Sequence, residues 1–527
     1  MKKLLLLFFS LLVGILLYGA WPVSPFCFLL FIAFVPLLIV ADKTTKRLSF
    51  FGYSFLSLLL FNAATTWWIW NSTDVGSIAA IIANSILMCL PWWGYHVMLK
   101  KYGRSIGYFS LICYWMLFEY IHLNWQLSWP WLSLGNGFAA NPNWVQWYAY
   151  TGIAGGTLWV LLVNIGCKIL LKKLVGNRNA AFAFGFLLVL IIAAPIAISF
   201  FLLSQKKEAI LPKENVLIVQ PNVDPYAKFE VSTSTSEVQK LVSLSESNMD
   251  SATQLIVWPE TALSLATFQD QITKIDYYQP VFTFLQRHPK VTILSGIETY
   301  RNYGNYQATA TSRRMQDGSY MDAFNSAIFI QANTPLQLYN KSKLVPGVES
   351  MPTFLNFMGP IFEKFGGTTG GYGRSDTSKV FSLPGNPYLI APVICYESIY
   401  GEYVSTYAKR GANIIAIITN DGWWGNTPGH KQHLQYARLR AIETRRWIAR
   451  SANTGTSAVI DDYGEIKASQ PWDKAAVIKY PIPTTNKLTF YVQYGDYIYQ
   501  LASFLALLLL VWHSFLWVKG LTTRGTR

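Results

Sequence analysis

The chain has 527 residues, of which 52% are hydrophobic, 16% aromatic and 13% charged, against about 25% charged in an average soluble protein. That composition excludes an ordinary soluble globular protein and points to a membrane protein. The net charge of +15 is not a nucleic-acid signature: many basic residues flank apolar spans, where they set membrane orientation, and no zinc-ligand spacing or Arg/Lys run occurs.

In chain order, seven apolar segments precede residue 204, near 4–19, 24–41, 50–69, 77–98, 106–122, 155–171 and 181–203, and an eighth runs near 497–518. Each is about the length that crosses a bilayer, since roughly 20 helical residues span the hydrocarbon core. The fifth carries Glu119, a carboxylate costly in hydrocarbon that is expected to face the bundle interior in a structural role. The loops alternate in charge. Lys2 and Lys3, then Lys43, Lys46 and Arg47, then Lys100, Lys101 and Arg104, then Lys172, Lys173 and Arg178 fall on one side, with Lys519, Arg524 and Arg527 after the last span. The intervening loops carry no Lys or Arg, so the positive-inside rule predicts cytoplasmic termini and an outward-facing segment 204–496. The opening resembles a signal peptide, but Tyr18 is a poor residue near a cleavage site, and an uncleaved first helix is expected. Trp67, Trp68, Trp70, Trp92, Trp93, Trp125, Trp129 and Trp131 are read mostly as interface anchors.

Residues 204–496 differ in character. Short Val- and Ile-rich runs recur, among them "NVLIVQPN", "QLIVWPET", "VTILSGIE", "SAIFI", "YLIAPVIC" and "ANIIAIITND". Continuous apolar runs of this length, bounded by Pro, Asn, Asp and Gly, fit strands buried on both faces. Helical stretches such as "STSEVQKLVSLSESNM" and "HLQYARLRAIETRRWIAR" lie between some of them, which predicts an α/β domain. The expected organisation is a membrane domain over 1–203, an extracytoplasmic α/β domain over 204–496, and an eighth span with a cytoplasmic tail over 497–527.

Of five cysteines, only Cys395 lies outside the apolar segments. A lone cysteine excludes an intrachain disulfide framework there. Strand-like runs lead to Glu260 and to Cys395, and "YNKSKLVPGVE" offers Lys341 and Glu349 after another. Strand ends are where α/β proteins build sites, and a cysteine nucleophile needs a base and a cation or donors for the oxyanion. Each residue also has an ordinary reading: Cys395 as a small core residue, Glu260 as a helix-start acid, Lys341 and Lys343 as surface lysines. His430 and His433, three residues apart with no third ligand in view, are read as a helix-start and surface pair, and no metal or cofactor is expected.

"WPET", "YNKSKLVP" and "CYES", in this order and strand context, resemble the Glu–Lys–Cys set of the nitrilase superfamily. With the apolar spans around them, and with "QPNVDPYAKF", "WPWLSLGNGF" and the segment 420–455, nearly the whole chain resembles the apolipoprotein N-acyltransferase family. The resemblance implies a nitrilase-like αββα sandwich beside about eight transmembrane helices. It implies Glu260 as general base, Lys341 as the oxyanion-stabilising cation and Cys395 as nucleophile. Glu349 matches the second essential acid, Tyr396 and Glu397 the pair after the cysteine, and Trp423 a tryptophan at the active-site mouth. Where the family reads "LVPFGE" this chain has "LVPGVE", so the turn presenting Glu349 is expected to differ.

The implied reaction is ping-pong acyl transfer from a phospholipid, through a Cys395 thioester, to the N-terminal amine of a diacylglyceryl-cysteine lipoprotein. The implied place is the bacterial inner membrane with the catalytic domain periplasmic, and a monomer is expected. The apolar segment 350–373 is expected to act as an arm dipping into the lipid interface. Two other readings remain: a membrane-tethered amidase acting on a small amide, and a transporter or lipid receptor with an inactive α/β domain.

Overall fold

Backbone polar groups in hydrocarbon must be satisfied within the protein, so long apolar runs fold as helices. In the computed structural model, which describes residues 2–225, 231–351, 371–382 and 385–522, seven helices are long and apolar enough to cross a membrane. They are Lys3–Ala20, Arg47–Asn71, Asp74–Tyr102, Arg104–Asn124, Tyr148–Gly176, Arg178–Ser204 and Tyr497–Lys519. The chain divides into a helical unit (residues 1–67, 77–202 and 494–527) and an α/β unit (residues 68–76 and 203–493).

One apolar segment departs from the expected continuous span. The stretch near 24–41 forms a 3-10 turn, Cys27–Phe31, and a separate helix, Val35–Lys43. Pro36 stands in the first turn of that helix, where its missing N–H is no loss. The break is satisfied by one side chain: Asn164 accepts the Phe34 N–H at 2.8 Å and donates to the Leu30 carbonyl at 2.7 Å. Asn164→Leu is expected to destabilise the solubilised chain by about 1–3 kcal/mol for each group left unpaired, read as a fall in Tm.

Glu119 lies inside the helical unit with four donors. Trp115 Nε1 and the Leu134 N–H reach Oε1 at 2.9 and 2.8 Å, and the Thr157 and Tyr499 hydroxyls reach Oε2 at 2.7 and 2.6 Å. It joins three helices and a turn, a structural role. The tryptophans split: Trp67, Trp70 and Trp93 are exposed, whereas Trp68, Trp92 and Trp131 are fully buried and serve as packing rather than as anchors.

All six Val- and Ile-rich runs are strands of the α/β unit. The first sheet runs Ala476–Tyr480, Asn215–Gln220, Thr253–Val257, Thr292–Asn302, Tyr320–Gln331 and Arg313–Arg314, with Leu263–Phe268 beside 292–302 and Gln337–Asn340 beside 320–331. The second runs Ile466–Ser469, Ala458–Ile460, Ile448–Ala452, Ile414–Thr419 and Ile390–Ile394. Alternation along a strand assigns its two faces. Val216 and Ile218 enter a core shared with Val393, Ile415 and Ile417 of the second sheet. Leu217 and Val219 pack outward with Val238, Leu241, Phe284 and Leu285 of the helices Val231–Asn248 and Gln279–Arg287. Helices Gly401–Lys409 and Pro428–Thr444 add Val404, Tyr407, Ala437 and Ala441 to the core of the second sheet. The order of layers is helix, sheet, sheet, helix. Of the expected apolar arm, residues 352–370 lie outside the described residues.

Candidate active site

Glu260, Lys341 and Cys395 leave three different strands within three residues of their ends, at Thr253–Val257, Gln337–Asn340 and Ile390–Ile394. Two of these exits are strained. Cys395 has φ 49° and Thr261, directly after Glu260, has φ 47°. A β-branched residue rarely adopts this left-handed region, and such outliers persist only where the surroundings over-determine them. Gly296 on the neighbouring strand makes room for the Glu260 turn, because a Cβ there would stand 2.3 Å from the Thr261 nitrogen and 2.6 Å from the Glu260 Cα.

The exits bring distant residues into one buried polar knot. Lys341 Nζ donates to Glu260 Oε1 at 3.1 Å and to Glu349 Oε1 at 2.8 Å. Asn325 Nδ2 donates to the same two oxygens, at 2.8 and 3.0 Å. The Asn420 N–H donates to Glu260 Oε2 at 3.1 Å, and the Val345 N–H to Glu349 Oε2 at 2.8 Å. Lys341 is 1% exposed, Glu260 6% and Glu349 9%, so water does little to screen these charges. Burial pushes the Lys341 ammonium down, but the two carboxylates outweigh it and hold it well above the usual lysine range. Burial, and then the Glu260 charge, push the Cys395 thiol up, while Lys341 and the Thr419 hydroxyl pull against them. The resting cysteine is therefore a thiol under the influence of a carboxylate, and it could act as a nucleophile only once its proton is moved.

The altered motif "LVPGVE" closes a turn of its own. Gly347 takes φ 81° and its N–H bonds to the Ser350 carbonyl at 2.7 Å, while the Glu349 N–H bonds to Val345 at 2.9 Å. The left-handed position falls on the glycine, and Val348 needs no unusual φ.

Glu397 holds two of the exits together. Its Oε1 accepts the Ser342 N–H at 2.7 Å and the Tyr339 hydroxyl at 2.5 Å, and its Oε2 accepts the Ile394 N–H at 2.9 Å. The Lys341 and Cys395 turns are thus tied to one carboxylate. Burial pushes that carboxyl up to about 7, while the Tyr339 hydroxyl and the Ile394 and Ser342 N–H groups pull it back toward the ionised form. Glu397→Gln must turn an amide N–H₂ toward one of these donors. It is expected to lower stability by about 1–3 kcal/mol, measured as Tm, although the change is isosteric.

Tyr396 is buried with its ring against Tyr400, centroids 5.4 Å apart. Trp423 is half-buried in the turn Asp421–Trp424. That turn is held by residues from 68–76: Asn71 Nδ2 donates to the Trp424 carbonyl at 2.8 Å, the Ser72 hydroxyl to the Trp423 carbonyl at 3.3 Å, and the Trp68 and Trp424 rings lie 4.9 Å apart.

Several residues escape a reading of the sequence. Asn325 sits in a strand otherwise read only as "SAIFI", and its single signal is a polar residue at a buried position. His430 and His433 lie in the first two turns of the helix Pro428–Thr444, as expected, but they are not a surface pair: both are buried, 2% and 0% exposed. The helix Pro428–Thr444 is polar in composition yet buried along most of its length. Several of its polar side chains find partners inside the protein, as where Arg440 donates to the Ile399 carbonyl and to Glu443. Among the described residues no group of three or more His, Cys, Asp or Glu side chains could hold a metal ion.

Residues 218–486 match the carbon-nitrogen hydrolase family, and residues 13–166 match the apolipoprotein N-acyltransferase N-terminal domain. The apolipoprotein N-acyltransferase of Chlorobaculum tepidum is 30% identical over 93% of this chain and 93% of its own length. That of Haemophilus influenzae is 27% identical over 95% and 94% of the two chains, and that of Photobacterium profundum 25% identical over 94% and 92%. Identity at this level along nearly the whole length, with the membrane helices and the α/β unit both matched, decides the question: this integral membrane protein belongs to the apolipoprotein N-acyltransferase family and is an acyltransferase.

Proposed function

We propose that the enzyme moves an acyl chain from a phospholipid, by way of a thioester on Cys395, to the N-terminal amine of a lipoprotein's diacylglyceryl-cysteine. The observation that carries this reading is the buried knot of Glu260, Lys341 and Glu349, in which the Glu260 and Lys341 charges act on the Cys395 thiol. Glu260 takes the thiol proton as Sγ attacks the ester carbonyl carbon, and the oxyanion that forms is stabilised by Lys341. The C–O bond then breaks, Glu260 returns the proton to the leaving oxygen, and lysophospholipid departs. In the second half the amine attacks the thioester, Glu260 takes its proton and passes it to Sγ as the C–S bond breaks, giving the amide and restoring the Cys395 thiol. Glu349 holds Lys341 from the other side, Tyr396 and Glu397 shape the turns, and Trp423 stands at the mouth.

The place of the reaction is the periplasmic side of the bacterial inner membrane, with both termini cytoplasmic and the protein a monomer. The charge alternation of the loops supports this sidedness, and it requires the broken stretch from Cys27 to Lys43 to count as a crossing. Backbone breaks within a membrane are tolerated where protein satisfies the freed groups, as Asn164 does.

Intact-protein mass spectrometry after incubation with phospholipid in detergent tests the reading. A hydroxylamine-sensitive acyl adduct is expected on the wild type, absent from Cys395→Ala, and discharged by a diacylated lipopeptide. Folded wild-type protein that forms no adduct overturns it and leaves a small-amide hydrolase as the next reading.

A further inference from the structure

Behind Cys395 lies a second buried network that the proposed chemistry does not use. Arg450 donates to Asp421 Oδ2 at 2.6 Å, and the Thr419 hydroxyl donates to Asp421 Oδ1 at 2.9 Å. His433 Nδ1 lies 3.0 Å from Asp421 Oδ1. Its other nitrogen, Nε2, lies 2.8 Å from the Ser398 hydroxyl and 3.2 Å from the Cys395 carbonyl oxygen, and Ser398 itself donates to that carbonyl at 2.7 Å. Thr419, Asp421, His433, Arg450 and Ser398 are each 0% exposed. Burial of this kind is costly unless every group has a partner.

The network meets the nucleophile twice. Through His433 and Ser398 it holds the Cys395 carbonyl, and Thr419, which donates to Asp421, also acts on the thiol. Asp421 is also the residue after Asn420, whose N–H bonds to Glu260. A cysteine at φ 49° is held in place only by surroundings that over-determine it, and this network grips the carbonyl of that same residue. The ionic state of Asp421 agrees: burial pushes its carboxyl up, but Arg450 and His433 outweigh burial and hold it well below the usual range. An ionised Asp421 can only accept, and Arg450 Nη2 lies 3.3 Å from the same His433 nitrogen, so Asp421 and Arg450 together hold that side of the ring.

We infer that His433, oriented by Asp421, is a positioning residue that fixes the strained Cys395 turn and so aims the thiol at Glu260 and the acyl carbonyl. This rests on the proposed role of Cys395 as nucleophile. His433 touches no reacting atom and acts through the cysteine backbone.

The test separates the two nitrogens and uses the full chain in detergent. His433→Asn places an amide near Nδ1 and loses the Cys395 side. His433→Gln reaches the Nε2 position, where its amide can present either a donor or an acceptor. Two rates are read by mass spectrometry: alkylation of Cys395 by iodoacetamide, and acylation by phospholipid. In His433→Asn both are expected to fall, acylation by about 10²-fold, the scale of a small misplacement of reacting groups, with KM for phospholipid unchanged. His433→Gln recovers most of the loss. Thr419→Val, which keeps the side-chain shape, slows alkylation as well and serves should His433→Asn fail to fold. Wild-type rates in His433→Asn, or a loss that only tracks a fall in Tm with Gln no better than Asn, overturns the inference. A wild type that alkylates at Cys395 but takes no acyl group from phospholipid defeats the acyl-donor reading instead, and the alkylation rates still decide the role of His433.

Discussion

Lys341→Met is expected to cost about 3–5 kcal/mol of stability, because removing one partner of a buried ion pair leaves the other charge uncompensated. Here two carboxylates lose the same partner at once, since Glu260 and Glu349 both accept from Nζ and both are buried. Methionine fills a similar volume, so the loss is electrostatic and not a cavity effect. The expected readout is a large fall in Tm of the solubilised protein. Adding Glu349→Gln to Lys341→Met should recover part of the loss by removing one of the unpaired charges, and that non-additivity is the signature of direct coupling. An unchanged Tm in Lys341→Met would mean that the two acids do not share one ionic centre with it. On the proposed mechanism the variant also loses oxyanion stabilisation, so any folded fraction acylates slowly.

On the proposed mechanism, Glu260→Gln carries the largest expected effect on rate. The thiol is held protonated by burial and by the Glu260 charge, and general acid–base catalysis is worth about 10²–10⁴-fold. Acyl-enzyme formation should fall by that order with KM for the donor unchanged, the pattern of an interaction made in the transition state. The amide also has to present N–H₂ to a donor, because Oε1 accepts from Lys341 and Asn325 and Oε2 from the Asn420 N–H, so Tm is measured alongside. Glu260→Asp separates base from countercharge. It keeps the charge but withdraws the carboxylate by one methylene. If Glu260 only balances Lys341, the Asp variant stays active; if it moves protons, the Asp variant is slow as well.

Much of this protein is legible along the chain. Runs such as "NVLIVQPN" and "YLIAPVIC" are strands because both their faces are buried, which leaves a continuous apolar run with polar punctuation at the end where a site residue follows. The helices are equally local, since the length and apolarity of each segment are enough to require a helix in hydrocarbon. The exception, near 24–41, broke because its partner for the freed backbone groups is Asn164, 130 and 134 residues away along the chain.

By itself, then, the sequence determined the long apolar helices, six of the strands and which ionisable residues stand at strand ends, because these follow from patterns a few residues long, whereas the helical reading of 433–450 ran past Thr444 into the strand Ile448–Ala452. Only the tertiary structure decided which of those residues meet. Asn325 joins Glu260 from 65 residues away and Asn420 from 160, and His433 passed for a surface residue because nothing local marks a polar helix as buried. A buried polar group is tolerated only where its partners converge on it, and convergence is a property of the folded chain.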